Sequence, residues 1–291
     1  MQLDARSRDL LGSARIGMLA LAAGTYPVVN PAAFSHQAGA IWMTTSRYAA
    51  KLGMARKDPR AAFLVEAHGR SVLLQGVLEA FDLRSVSGAL RATLEGPRFP
   101  LAMAGYALKN AAFIGGYLVD LAGVPREWWP QNRVVLRLSP DRVREFQAGE
   151  AEAAGQSRLA GAPEAVTKAV ESESRAILCW VQRGYPQLVP ALWVADGDDV
   201  LAWVPEELAP PHDRMASAVV VEFHHPYRAT RMVGACPRGL ISRDDGACAA
   251  IAKRYGVEVA GGVGLRLEAR RVTWWHGFEV KTSPVRGSVK P

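Results

Sequence analysis

The sequence predicts a mostly β protein with inserted helices, laid out as two tandem copies of one small barrel. Three observations predict it. Internal matches recur in a fixed order, short apolar runs alternate with turn residues, and the surplus helical sequence falls in the first copy alone.

The matches begin near the N-terminus. Pro27, Pro31 and Phe34 correspond to Pro186, Pro190 and Trp193, each 159 positions on, and Arg15 and Gly24 to Arg175 and Gly184 at 160. Residues 70–76 match 228–234 at 158. Leu136-Arg137-Leu138 with Arg142-Val143 matches Leu265-Arg266-Leu267 with Arg271-Val272 at 129, and Phe146 then pairs with Trp275. Four matches in one order point to a duplication. From Gly76 to Arg137 is 61 positions and from Gly234 to Arg266 is 32, so the first copy carries 29 extra residues. They fall in an apolar, turn-poor region at about 85–131, which reads as two or three helices. The expected layout is a first repeat at 1–146 with this insertion, a linker at 147–168 and a second repeat at 169–291. The linker is rich in Ala, Gly, Glu and Gln and lacks a periodic apolar face.

Within the first repeat, 16–22, 27–34 and 40–44 are short apolar runs bounded by turn residues and read as antiparallel strands. Between 47 and 57 the period changes: Tyr48, Leu52 and Ala55 share one helical face, and Asp58-Pro59 ends it. Residues 61–66, 71–81 and 133–146 read as further strands. The second repeat follows with strands at 181–194, 200–204, 218–223, 227–234 and 265–275. Short strands with one small helix after the third favour a closed or split barrel over a parallel α/β sheet.

Composition narrows the function. Apolar residues at 49% and charged residues at 22% suit a globular core, and the net charge of +7 suits an anionic or phosphate-bearing ligand. No block of five like charges occurs, so no nucleic-acid arm is expected. Cys179, Cys236 and Cys248 are too few and scattered for a disulfide framework or a zinc site, which fits a reducing cytoplasm. Asp4 and Asp9 break any signal-peptide pattern, and the apolar stretch 100–124 contains Lys109, Asn110 and Asp120. It reads as buried or interfacial helices, so no membrane partner is expected. His224-His225 are adjacent on an expected strand and point to opposite faces, and no other histidine has ligand spacing, so no metal site is expected.

The residues best suited to chemistry are Thr44, Thr45, Ser46, Arg47 and Lys51. They end a strand and open a helix, with Ser46 as its N-cap. Free amides behind a cap form an anion site, which Arg47 and Lys51 complement as a bidentate fork and a mobile point charge. The same residues would also make an ordinary capped helix with a solvated basic face. In the second repeat, 159 positions on, Ser46, Arg47 and Lys51 become Pro205, Glu206 and Pro210. Two adjacent carboxylates repel phosphate, so one cofactor site per chain is expected.

Together, the Gly-X-Pro-X-X-X-Pro hairpin (GYPQLVP in the second repeat), TTSRYAAK followed by DPRAAFLV, and the closing strand RLSPDRVREFQAG resemble the flavin-binding split barrels of the pyridoxamine 5'-phosphate oxidase-like superfamily. The resemblance implies two tandem split β-barrels forming a single-chain pseudo-dimer, either monomeric or a homodimer, with the cofactor pocket between the barrels. It adds Arg70, Ser71 and Asn30 as flavin contacts. It implies an FMN-dependent oxidoreductase acting with a small-molecule substrate or electron donor, the flavin supplying the redox chemistry. The Arg-Leu-His-Asp-Arg tail of true pyridoxamine-phosphate oxidases is missing after RLSPDRVREFQAG, which speaks against that reaction. Two alternatives remain open: a deazaflavin coenzyme in the same pocket, and non-catalytic haem binding with a histidine such as His276 as axial ligand.

Overall fold

A computed structural model describes residues 3–22, 24, 26–148, 150–222 and 228–285. The first half contains α1 (Ala5–Ser13), β1 (Ile16–Leu21), β2 (Val28–Gln37), β3 (Ala40–Ser46), α2 (Ala50–Lys57), β4 (Arg60–Ala67) and β5 (Arg70–Phe81). The insertion carries α3 (Val86–Leu94), α4 (Arg98–Lys109), α5 (Ala111–Val119) and three short 3-10 turns, and β6 (Arg133–Gln147) closes the half. The second half runs α6 (Glu164–Val170), β7 (Ala176–Gln182), β8 (Tyr185–Asp196), β9 (Asp199–Pro205), a 3-10 turn (Glu206–Leu208), β10 (Arg214–Glu222), β11 (Val233–Arg243), α7 (Ala247–Tyr255), β12 (Gly262–His276) and β13 (Glu279–Pro284).

The two sheets share one topology. β1-β2-β3-β6-β5-β4 close into a barrel. β7-β8-β9-β12-β11-β10 follow the same order, the β11–β12 pairing closes that ring, and β13 is added beside β12. The registers agree as well. Met18 faces Pro31 as Ile177 faces Pro190, Phe34 faces Met43 as Trp193 faces Ala202, and Ile41 faces Leu138 as Val200 faces Leu267. Ala61 faces Gly76 as Ala216 faces Gly239, and Gly76 faces Pro140 as Gly239 faces Ala269. The last two glycines sit at matching β-bulges. A Cβ there would lie 2.0 Å from the Ser139 carbonyl oxygen in one barrel and 1.7 Å from that of Glu268 in the other, so only hydrogen fits.

These registers correct several sequence expectations. The fifth strands are offset by 163 positions, so residues 70–76 correspond to 233–239, and the match to 228–234 is not structural. From Gly76 to Pro140 is 64 positions and from Gly239 to Ala269 is 30, so the first barrel has 34 extra residues rather than 29. The first strands are offset by 159, so the Arg15–Arg175 and Gly24–Gly184 matches at 160 are one residue out of register. The run 181–194 divides at Arg183-Gly184, both at positive φ, into the β7–β8 hairpin. The strand expected at 227–234 starts at Val233, and Phe223, His224, His225 and Tyr227 lie outside the described residues. The segment expected to be a linker is packed: Leu159 enters the second core, Arg254 donates to the Gly155 carbonyl, and α6 begins at Glu164.

Each barrel has its own core, built around Phe34, Phe63 and Leu74 in the first and Trp193, Val220 and Leu265 in the second. A third cluster joins them, and it is self-complementary. Met18, Ala20, Val29, Leu64 and Leu73 contribute from one side; their register equivalents Ile177, Cys179, Leu188, Val219 and Cys236 contribute from the other. Phe146 and its equivalent Trp275 both pack there. This is the pattern of an isologous interface, in which one patch meets its own copy across a twofold axis. Gln75 Nε2 donates to the Pro186 carbonyl and Ser217 Oγ to that of Pro27, both at 2.7 Å, which ties the two equivalent prolines to the opposite barrel. No helix among the described residues is long and apolar enough to cross a membrane.

Candidate functional site

The C-terminal end of β3 meets the start of β6, the first turn of α2 and the insertion. β3 alternates sides: Ile41 and Met43 enter the barrel core, while Trp42 lies outside against Phe81 and Phe99. Thr44 shares the outer side. Its hydroxyl accepts from Arg133 Nη2 at 2.8 Å and lies 3.3 Å from the Tyr106 hydroxyl of α4. Thr45 faces inward, buried and without a hydrogen-bond partner for its hydroxyl, at the position that Val204 takes in the second core. Ser46 is buried. Its hydroxyl accepts from the Tyr48 amide at 3.2 Å and donates to the Glu127 carbonyl of the insertion.

The helix starts later than the sequence predicts. Its N-cap is Ala49, with no side-chain cap, so Ser46 closes a turn before the helix and does not cap it. Two consequences follow for an anion site. Arg47 forms an ion pair with Asp82 at the end of β5, which spends its charge internally. Lys51, in the first turn of α2, and Arg133, at the start of β6, are instead both half-buried, with no carboxylate partner among the described residues. Burial first, and then the Arg133 charge, pull the Lys51 amine down to about 8. Burial also lowers Arg133, whose guanidinium lies 5.7 Å from the ring centre of Tyr117 and 6.0 Å from that of Trp128. Phe278 of the second barrel touches both rings, with centroids 6.5 and 5.5 Å away. The insertion is anchored to that barrel by Asp120, which accepts from Arg228 Nε at 2.9 Å and Thr230 Oγ1 at 2.6 Å. Those bonds hold the Asp120 carboxyl at about 2.

The remaining expected contacts lie elsewhere. Ser46 pairs with Arg133 at the start of β6, whereas Arg70 pairs with Gln147 at its end. β6 is fifteen residues long, so these points lie on the order of 45 Å apart along the strand, beyond the span of one flavin mononucleotide. Arg70 and Ser71 instead line a separate cleft with Arg6, Ser7 and Glu145. Arg70 lies 4.0 Å from Asp4, and the Ser71 hydroxyl is buried without a partner. Asn30 has the inward register of Ala32 and Phe34, and its equivalent Val189 is a core residue. Thus the structure sets Thr44 and Ser46 at the pairing with Arg133, whose charge reaches Lys51, diverts Arg47, and separates Asn30, Thr45, Arg70 and Ser71 from them. Sequence reasoning missed Arg133, Tyr106, Tyr117 and Trp128. Their one available signal was that the insertion ends directly before a strand paired with Thr44.

A cavity of about 670 Å³ lies between the barrels, bordered by Met18, Leu64, Ile177, Val219 and Val221 with Glu66 and Arg175. Glu66 Oε1 and Arg175 Nε are 3.7 Å apart, and burial raises the Glu66 carboxyl against the lowering effect of Arg175. No group of three or more His, Cys, Asp or Glu suited to a metal occurs among the described residues.

Two like barrels back to back, one of which gathers Arg133, Tyr106, Tyr117 and Trp128 around the end of β3, define a split-barrel protein. Residues 4–103 match the model of the pyridoxamine 5'-phosphate oxidase family, so the resemblance seen in the sequence holds for this part of the chain. Solved structures similar to half of the chain include a conserved hypothetical protein of Mycobacterium tuberculosis, at 21% identity over 50% of this chain and 86% of that one, TM-score 0.36. They include an FAD-binding protein of Mesorhizobium loti (19%, 49% and 94%, TM-score 0.32). An FAD-binding protein of Mycobacterium smegmatis is similar over 50% of this chain and 98% of its own, at 18% identity and TM-score 0.32. No curated protein matches the chain.

Proposed function

We propose that the protein binds one phosphate-bearing flavin, FMN in the first instance, and works as a flavin-dependent oxidoreductase. The observation that carries this reading is the Lys51–Arg133 pair. Two half-buried cations close enough for one to lower the other, without a counter-ion, are costly, and an anion beside them offsets that cost. Phosphate supplies the charge and the acceptor oxygens that both side chains need. The residues present therefore fit the phosphate end of the cofactor: Lys51 and Arg133 neutralise it, Thr44 orients Arg133, and Tyr106, Tyr117 and Trp128 exclude water. When bound, the flavin supplies hydride and electron transfer. The barrel–barrel cavity is of the size expected for a small-molecule site, and its paired Glu66 and Arg175 give a substrate one polar end to orient against.

The second repeat supports a single site, because Trp203 and Gly262 stand where Thr44 and Arg133 stand in the first, and a 3-10 turn without a cation, Glu206–Leu208, follows β9 where α2 carries Lys51. The duplication read from the sequence is proposed as the origin of this pair: a dimer joined into one chain, of which one pocket kept its charge.

Titration of the apo-protein with FMN, followed by flavin fluorescence, tests the reading. One site per chain is expected. Lys51→Gln should weaken FMN by roughly ten- to a hundredfold, as expected for a charge-assisted bond of about 1.5–3 kcal/mol, and riboflavin much less. Equal FMN affinity in wild type and variant would reject the phosphate assignment. Tight binding of a deazaflavin with FMN excluded would keep the pocket and change the cofactor.

A further inference from the structure

Twelve large hydrophobic side chains are exposed among the described residues, and eight of them fall between 83 and 119, in the insertion. They are not spare core. α3 turns Gly88 and Ala92 inward, and α4 turns in Phe99, Ala102 and Tyr106. Each helix then presents a second apolar face to solvent: Val86, Leu90 and Leu94, four apart on α3, and Leu101 and Leu108, seven apart on α4. α5 has the sequence AAFIGGYLV, with no charged or buried residue. The other barrel provides a comparison. At the same place in its topology, α7 buries Ile251 and Tyr255, and none of its residues is an exposed large hydrophobic.

The exposed charges around this face are mostly cationic. On α3 and α4 and just before them every exposed charged residue is an arginine, Arg84, Arg91 and Arg98; further along the insertion Arg126 and Glu127 are exposed side by side. Glu95 is paired with Arg137, and Asp120 is buried against Arg228. Exposed large hydrophobics concentrated in one segment mark an interaction surface, and an apolar face rimmed by cations suits an interface that is hydrocarbon inside and anionic outside. A second copy fits poorly, since self-pairing would set arginines against arginines. Spanning is excluded by length: α4, the longest of the three helices at 12 residues, would cover about 18 Å of a roughly 30 Å hydrocarbon core.

We propose that the α3–α5 face of the insertion is a docking surface for an anionic lipid bilayer, on which the helices lie flat with their leucines in the headgroup–acyl boundary. The sequence led to the expectation of no membrane partner, from the absence of a spanning segment; the proposal departs from that expectation, because adsorption needs no such segment. The flavin assignment is independent of it.

Co-sedimentation of the full chain with vesicles of phosphatidylcholine, or of phosphatidylcholine with phosphatidylserine, tests the proposal. Wild type should sediment with the phosphatidylserine vesicles and stay in solution with phosphatidylcholine alone, and added salt should release it. Arg91→Gln/Arg98→Gln should weaken binding on the order of ten- to thirtyfold, at about 1 kcal/mol per cation. Leu90→Gln/Leu94→Gln/Leu101→Gln should abolish it with the melting temperature unchanged, because these side chains are exposed. No sedimentation with either lipid would overturn the proposal, as would equal binding by the variants. Light scattering that shows a wild-type dimer lost in the leucine variant would give the face to a second copy and overturn it too.

Discussion

The ends of β3 and β9 show how one backbone position acquires different chemistry. In the first barrel Thr44 accepts from Arg133, whose guanidinium also lies near the rings of Tyr117 and Trp128 and whose charge lowers Lys51. In the second, Trp203 stands in place of Thr44, and its indole lies against Gly262, where a Cβ would come within 2.4 Å of the ring. Glu206, in place of Arg47, pairs with Arg243 at 2.6 Å, and a 3-10 turn replaces the helix that carries Lys51. Packing has taken over a site that charge occupies in the other barrel. The backbone tolerates both outcomes because the strand ladder, common to the two, supplies its hydrogen bonds.

The largest expected effect tests whether the barrels are equivalent. Gly76→Ala and Gly239→Ala each force a methyl onto a backbone carbonyl that the bulge holds in place. Each should cost roughly 3 kcal/mol, at the upper end for overpacking. Urea unfolding would measure both; a severe loss at one and none at the other would break the correspondence of the bulges.

Next in size is the asymmetry of charge. Lys51→Met should weaken FMN to the same degree as Lys51→Gln, whereas Glu206→Gln should leave FMN affinity unchanged, since it belongs to the mouth that has lost its cations. A gain of a second FMN site in Glu206→Gln would show that this mouth is merely masked by its carboxylates.

A smaller effect concerns pH. Lys51 has a folded value of about 8 against 10.5 for the free side chain. Below pH 8 the proton stays on in both states and the burial penalty is felt in full. Between about 8 and 10.5 the folded protein has lost the proton while the unfolded chain keeps it, so this group makes the protein more stable as pH rises. Burial pushes the Cys179 and Cys236 thiols up, which acts in the opposite direction. The difference between wild type and Lys51→Met cancels their part. The variant should therefore be more stable than wild type at pH 7, with its advantage shrinking towards pH 10; a constant difference would show that Lys51 titrates normally. Phosphate binding holds Lys51 charged, so FMN affinity should fall as pH rises past 8 in wild type and not in the variant.

Smallest are the two ties between the barrels. Gln75→Ala and Ser217→Ala should each cost about 1 kcal/mol, the usual net value of a hydrogen bond. If one is silent and the other is not, the pseudo-twofold interface is held more firmly on one side than the other.

Much of the strand pattern was legible in the sequence. All six strands of the first barrel and the position of its insertion follow from short apolar runs punctuated by Gly, Pro and Asp. Those signals are local. The repeat was legible too, yet its register at β11 was not, because two similar stretches, 70–76 and 228–234, outweighed a longer β10–β11 connection that leaves no local trace. The start of α2 was misread for a related reason: Ser46 is a good cap by type, but the Glu127 carbonyl, 81 positions away, engages its hydroxyl.

What the sequence by itself determined is therefore the apolar runs that make strands, the repeat that makes two barrels, and the lack of cations at 205–210 on which the single-site proposal rests. Which cations remain free in the other mouth was decided by tertiary structure alone. Arg47 and Lys51 read alike along the chain; Asp82 neutralises one, and Arg133, with no carboxylate beside it, is set against the other. Electrostatic partners are chosen by distance in space, and strand pairing brings together residues that sequence spacing leaves far apart.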